Sequence, residues 1–160
     1  MLYTTFNKLH ENNACKEGYK KLAEYLGGVK SYGKDTPIPL TVVLESNGLG
    51  DALWCLSATV EDCERSVRLL ACDYAEHVLH LFETKYPDDK CPRTAIDVSR
   101  RYANGESTID ELAAARDAAW AAARAAAWDA ARETERAWQK EKFIEMLNRE
   151  TELTKEKRYD

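Results

Sequence analysis

The most informative stretch of the sequence is TIDELAAARDAAWAAARAAAWDAAR, residues 108–132. Thr108 and Glu111 have the spacing of a capping box, in which each side chain accepts a hydrogen bond from the backbone amide of the other residue. Thirteen of the nineteen residues from 113 to 131 are alanine, the residue with the highest helix propensity. Because no glycine or proline follows before Arg149, the stretch predicts one long Ala/Trp-rich helix over residues 108–149.

Shorter helices are predicted in the N-terminal part of the chain. Thr4 or Thr5 is placed to cap a first helix, and residues 15–26 have apolar side chains at helical spacing before a glycine pair that ends the helix. Residues 39–44 fit either a short strand or a helix opened by proline. We choose the helix, because the sequence offers no evident partner strand.

The central part of the chain predicts three more helical segments. Asp51 is the predicted N-cap of the first, and the second begins at Thr59 and reaches about Lys85. The third begins near Pro92 and ends before Asn104-Gly105. The second segment is expected to bury one continuous apolar face, formed by Val67, Leu70, Ala71, Tyr74, Val78 and Leu81.

These segments together predict an all-α fold, a compact bundle of short to medium helices plus the long C-terminal helix. The length of 160 residues suits a single domain, which we place at residues 1–150. Its N-terminal helices lie in residues 1–46, its central helices in 49–105 and the long helix in 108–149. Residues 151–160 are expected to form a polar tail.

The charge balance argues against a general nucleic-acid binder. The sequence has 23 basic and 28 acidic residues, a net charge of -5, whereas such binders carry a basic stripe. This acidity suits a basic protein partner and equally an ordinary solvated surface. No signal peptide or membrane span is evident, so we expect a cytoplasmic protein. The cysteines are odd in number and irregularly spaced, which predicts free thiols.

An alternation of arginine and tryptophan runs along the predicted long helix. Arg116, Trp120, Arg124, Trp128 and Arg132 follow each other at a spacing of four residues, at which neighbouring side chains touch. The ladder fits either a ridge that binds a partner or packing against the rest of the fold. We expect a split role, with Trp128 chiefly packed and with Trp120 and Arg124 available to a partner or to a second subunit of a homodimer.

Motifs for catalysis or metal binding are not evident in the sequence. The cysteines and histidines between residues 63 and 91 lack the closely paired spacing of zinc ligands, and the glycine patterns of phosphate loops and nucleophile elbows are missing. We therefore predict no catalytic residue, no metal and no cofactor. The loop before Pro92 is the stretch most suggestive of function, and Asp88, Asp89 and Arg93 are predicted partner-binding residues. Capping and turn formation explain the same residues.

Four motifs carry a resemblance to a known family, over roughly residues 40–145. They are Asn47–Leu56 (NGLGDALWCL), Arg68–Leu79 (RLLACDYAEHVL), Pro87–Ile96 (PDDKCPRTAI) and Tyr102–Glu106 (YANGE). The sequence resembles an immunity-protein family found in bacterial and phage genomes. The family pattern usually has arginine at the position of Cys91, whereas Pro92 and Arg93 match it.

The resemblance implies a non-enzymatic, inhibitor-type protein that binds and neutralises a protein partner. That partner would be a toxin of a competing bacterium or, for a phage-borne copy acting in the host cytoplasm, a host defence effector such as a CRISPR nuclease complex. One alternative is a structural or assembly protein that self-associates through the Ala/Trp helix. A less favoured alternative is a small hydrolase with a Cys/His or carboxylate site assembled in space.

Overall fold

The computed structural model describes residues 1–123 and 132–156, which are mostly helical. In chain order the described elements are β1 (Tyr3–Thr4), α1 (Phe6–Glu11), α2 (Lys16–Tyr25), α3 (Val29–Tyr32), β2 (Ile38–Pro39), α4 (Leu40–Asn47), α5 (Leu49–Trp54), a 3₁₀ turn (Cys55–Ala58), α6 (Glu64–Lys85), α7 (Cys91–Ala103), α8 (Ile109–Ala123) and α9 (Arg132–Glu156). The predicted all-α class is confirmed. The described part includes no helix that is both long and apolar enough to cross a membrane.

The chain divides into two compact units, which we describe separately. Unit 1 consists of Met1–Cys63 and Lys140–Asp160, and unit 2 of Glu64–Gln139. The core of unit 1 joins the N-terminal helices to the second part of α9. Its largest fully buried side chains are Leu2, Phe6, Leu22, Ile38, Leu40, Val43, Phe143 and Leu147.

The start of unit 1 confirms one predicted cap and adds a strand pair. Thr5 is the N-cap of α1, and its hydroxyl accepts a hydrogen bond from the Lys8 amide at 3.0 Å. Just before it, β1 pairs antiparallel with β2, with Tyr3 opposite Pro39 and Thr4 opposite Ile38. The sequence did not predict this pair, because two residues per strand are too few for an alternating pattern.

Helix α4 confirms the helical prediction for residues 40–44, whereas Pro39 belongs to β2, and β1 is the partner strand that the sequence did not reveal. The expected cap of the next helix is wrong. Helix α5 begins at Leu49, directly after Gly48, whose φ of 95° is the left-handed conformation that glycine tolerates. Asp51 therefore lies in the first turn of α5 and not at its N-cap. Its carboxylate accepts a hydrogen bond from Asn47 at 2.7 Å.

Unit 2 is built on the long helix α6. This helix begins at Glu64, five residues later than predicted, since Thr59 has an extended backbone and its hydroxyl donates to the Glu61 carbonyl. The expected apolar face is partly wrong. Ala71 and Leu81 are exposed, and the buried residues of α6 are Leu70, Cys72, Leu79 and Phe82.

The C-terminal helical region begins at the predicted capping box. The Thr108 amide donates to Glu111 at 2.9 Å and the Glu111 amide donates to Thr108 at 3.2 Å, which confirms the capping box before α8. Residues 124–131 lie outside the described residues, so the single helix over 108–149 stays a prediction. Helix α9 continues to Glu156, into the stretch assigned to a polar tail. The prediction of one domain over residues 1–150 is not tested by this division into units.

Candidate functional site

The loop between α6 and α7 holds two of the predicted partner-binding residues. Asp89 accepts a hydrogen bond from the Cys91 amide at 2.9 Å, and Lys90 donates to the Pro87 carbonyl at 2.7 Å. These bonds satisfy groups at the start of α7 and fix the loop. Asp88 is exposed. The Asp89 carboxylate therefore stabilises the first turn of α7, whereas the Asp88 side chain is exposed.

Arg93, the third predicted residue of this region, is held by an ion pair. Its Nε and one terminal nitrogen each donate to a carboxylate oxygen of Glu83 at 2.7 Å, a two-bonded contact between α7 and α6. This hydrogen bonding to Arg93 lowers the pKa of Glu83. The Arg93 side chain is still 47% exposed, so the pair fixes its direction and leaves part of the guanidinium accessible.

Four further polar contacts join α6 to α7 and to the C-cap residue of α7. Arg65 donates to the Asn104 side chain at 2.8 Å, and the Arg68 guanidinium lies 4.8 Å from the centre of the Tyr102 ring. Arg100 forms ion pairs with two carboxylates of α6, those of Asp73 and Glu76. Together with the Arg93 pair, these contacts extend along both helices. They restrain the two helices against sliding, so that the surface they carry is preorganised.

An aromatic cluster forms elsewhere in unit 2. The rings of His77 and Trp138 are stacked, with centroids 3.7 Å apart and planes within 8°, and Tyr74 lies 5.9 Å from Trp138 in a tilted arrangement. The Tyr74 hydroxyl also donates to the Gln139 carbonyl at 2.6 Å. Sequence reasoning missed Trp138, because this residue does not belong to the regular Arg/Trp ladder.

Leu81 is a further surface residue that sequence reasoning missed. Its side chain is 48% exposed, although it was predicted to lie in the core. Because Leu81 and Glu83 are two residues apart, about 200° around a helix, Leu81 points away from the Arg93 pair. The sequence does contain a signal for this exposure, namely the run Val78-Leu79-His80-Leu81-Phe82. Apolar side chains at nearly consecutive positions of a helix cannot all face one neighbouring element.

The side chains of the remaining predicted partner-binding residues, Trp120 and Arg124, are not among those that the structure describes. Trp120 belongs to α8, but its side chain is not among those that the structure describes, and Arg124 and Trp128 lie outside the described residues. The structure thus brings Asp88, Asp89 and Arg93 together at one end of the α6–α7 pair. Their association with the Arg/Trp ladder stays a prediction.

The five cysteines are free thiols. Burial raises the pKa of Cys55 to about 12, with a further contribution from Asp51. Burial likewise raises the pKa values of Cys63 and Cys72. A hydrogen bond to Asp89 raises the pKa of the exposed Cys91. These four thiols are therefore kept protonated, the unreactive form for nucleophilic catalysis.

Metal binding finds no support in the described part of the chain. No group of three or more His, Cys, Asp or Glu side chains in residues 1–123 and 132–156 is arranged to hold a metal ion. The structure does not test the prediction that the chain has no catalytic residue, no metal and no cofactor. The described geometry shows a pair of helices, α6 and α7, that polar contacts hold together and that carry exposed charged and apolar side chains.

The described residues thus define a mainly helical protein with one short strand pair. Comparison with protein families is consistent with this class. The family described as Imm-5 like putative immunity protein matches residues 58–141, more than half of the chain, and the chain belongs to this family. The match spans α6, α7 and α8 and confirms the resemblance found in the sequence. Searches of curated proteins and of solved structures found no match.

Proposed function

We propose that the chain is an immunity protein that binds a protein toxin in the cytoplasm and neutralises it by occluding its active surface. Membership of the immunity-protein family is the observation that carries this proposal. The braced α6–α7 pair supports it, because a surface that is rigid before binding loses less conformational entropy in the complex. A protein of this kind needs no catalytic residue of its own.

The proposed contact surface begins at the α6–α7 loop with Asp88, Asp89 and Arg93. Residues 64–139 contain 11 basic and 14 acidic residues, a net charge of -3, which favours a toxin with a basic face. Asp88 supplies an exposed carboxylate, and the fixed Arg93 guanidinium supplies a donor whose direction is set by Glu83. Leu81 is also exposed, but it lies on another side of α6 and does not belong to this surface.

Trp120 and Arg124 are proposed as a second part of the contact surface. Tryptophan and arginine dominate the binding energy of many protein interfaces. We expect Trp120→Ala to weaken partner binding by about 2 kcal/mol with little loss of stability. Trp128→Ala should instead cost about 3 to 5 kcal/mol of folding free energy, as for a packed tryptophan. Thermal melts and binding assays on both variants test this division, and equal losses of stability with no separate binding defect contradict it.

Two finer alternatives concern the identity of the partner. A phage-borne copy would act on a host defence effector, such as a CRISPR nuclease complex, through the same surface. Self-association through the Ala/Trp helix is the second alternative, and the 60% exposure of Ile109 at the start of α8 favours it. Light scattering at several concentrations tests self-association, because a self-assembling protein gives a dimer without any partner.

Co-expression tests the proposed toxin neutralisation. Candidate toxins encoded beside this gene are induced in a sensitive strain with and without the protein, and growth is measured. We expect the native chain to restore growth and Asp88→Lys to restore it less. Glu11→Lys is a matched charge reversal in unit 1, on a side chain that is 64% exposed, and it should behave like the native chain. A chain that protects against none of these toxins contradicts the proposal.

A further inference from the structure

Unit 1 contains a cavity that the proposed toxin binding does not use. Its volume is about 240 Å³, and it lies among α1, α2, α4 and α5, outside the residues matched by the immunity family. Trp54 at its edge is 40% exposed, unusual for so large a ring. The apolar part of the lining comes from Leu9, Ala14, Tyr19, Leu22, Val43 and Trp54.

One carboxylate is fixed in the wall of this cavity. Asn47 donates from its side-chain nitrogen to Asp51 Oδ2 at 2.7 Å and to the Gly18 carbonyl at 2.9 Å. The amide oxygen of Asn47 accepts from the Ser46 hydroxyl at 2.8 Å, so the amide is held from both ends. Within the described residues, Asp51 Oδ1 has no hydrogen-bond partner. The cavity wall therefore carries one oriented carboxylate oxygen that is free to accept a further hydrogen bond.

Gly18 makes room for this carboxylate. A Cβ atom at position 18 would lie 2.6 Å from Asp51 Oδ2 and 3.1 Å from Cys15 Sγ. The backbone of Gly18 is not left-handed, so the position requires glycine for space and not for conformation. Gly18 and Asn47 together place the Asp51 carboxylate against α2.

We propose that the cavity binds a small organic cation, a primary amine carried on an apolar aromatic body. The ammonium group donates to Asp51 Oδ1, because a carboxylate beside apolar walls is best compensated by an opposite charge. The body lies against the rings of Tyr19 and Trp54, whose faces also attract a cation. An anion is excluded by repulsion from Asp51. The volume is below the roughly 300 Å³ of the smallest drug-sized pockets, so the ligand has about ten non-hydrogen atoms.

Three probes of one size test the role of the charge. Phenethylamine, 2-phenylethanol and phenylacetate are titrated into the full-length protein, and the indole N–H signal of Trp54 is followed by NMR, assigned with Trp54→Phe. We expect saturable binding of phenethylamine with a dissociation constant of about 1 mM, typical of a ligand this small. The alcohol should bind at least tenfold more weakly, and the carboxylate should not bind.

Two variants test the role of the carboxylate. Asp51→Asn should weaken phenethylamine binding about tenfold and leave 2-phenylethanol binding unchanged. Glu45→Gln removes an exposed carboxylate of α4 and serves as the matched control, with no change expected for either probe. Gly18→Ala displaces the Asp51 carboxylate without removing its charge, so it should also weaken the binding of phenethylamine. Thermal melts establish that each variant folds, and the comparison of probes on the native chain needs no variant.

The outcomes separate the proposal from its rivals. Equal binding of the amine and the alcohol overturns it and leaves a merely apolar cavity. No binding of any probe at about 10 mM, ten times the expected dissociation constant, also overturns it. A short peptide, acetyl-Gly-Arg-Gly-amide, is titrated in the same way as a fourth ligand. If this peptide binds and phenethylamine does not, the proposal that the ligand is a free amine is overturned. The cavity would then accept a side chain of a protein partner.

Discussion

Replacing Phe143 by alanine tests whether the second part of α9 belongs to the core of unit 1. Phe143 is 0% exposed, and unit 1 otherwise consists of residues 1–63. Removing a fully buried phenylalanine side chain leaves a cavity and costs about 3 to 5 kcal/mol of folding free energy. Since small domains have about 5 to 15 kcal/mol in total, the variant should be visibly destabilised.

The neighbouring Ile144 provides the control. It lies on the same helix and is 36% exposed, so Ile144→Ala should cost about 1 kcal/mol or less. Urea unfolding, followed by circular dichroism at 222 nm, measures both variants. A large loss for Phe143→Ala with a small loss for Ile144→Ala supports the packing. Equal losses would refute it, because they would mean that the two side chains have similar surroundings.

Two further predictions concern charged groups of unit 2. Arg93 lowers the pKa of Glu83 in the folded state, so ionised Glu83 stabilises the fold above its ordinary pKa, and this stabilisation is lost as the pH falls through the lowered value. The difference in unfolding free energy between the native chain and Glu83→Gln should therefore be constant near neutral pH and shrink in acid. Urea titrations at several pH values measure this difference. A difference that does not change with pH would contradict a stabilising Glu83–Arg93 ion pair. Asp89 raises the pKa of Cys91, so Asp89→Asn should speed alkylation of Cys91 by iodoacetamide at pH 7.5, measured in a Cys15→Ser background. An unchanged rate would show that Asp89 does not control this thiol.

The elements that the sequence predicted well are those fixed by local chemistry. Thr5 caps α1 and the Thr108–Glu111 box opens α8, because a cap depends on residues two or three positions apart. By contrast, tertiary contacts decide whether the Leu81 side chain is buried or exposed. Helical spacing identifies an apolar stripe, but the neighbour packed against each part of α6 decides which side is buried.

The candidate site was predictable only in part, for the same reason. The loop before Pro92 stood out by its composition, and the structure fixes it with Asp89 and Arg93. The partner of Arg93 is Glu83, ten residues earlier, and nothing in a single sequence distinguishes it from other nearby acids. The cavity around Asp51 combines residues from four separate helices, so no local pattern could reveal it.

The central claim is that this chain neutralises a toxin by binding it directly. Isothermal titration of the purified protein into a toxin encoded beside its gene, combined with a toxin activity assay on the same samples, tests that claim. We predict a 1:1 complex in which toxin activity falls in proportion to the bound fraction, and a weaker complex with Asp88→Lys. Full toxin activity at a tenfold excess of the protein, with no heat of binding for any such toxin, would contradict the claim.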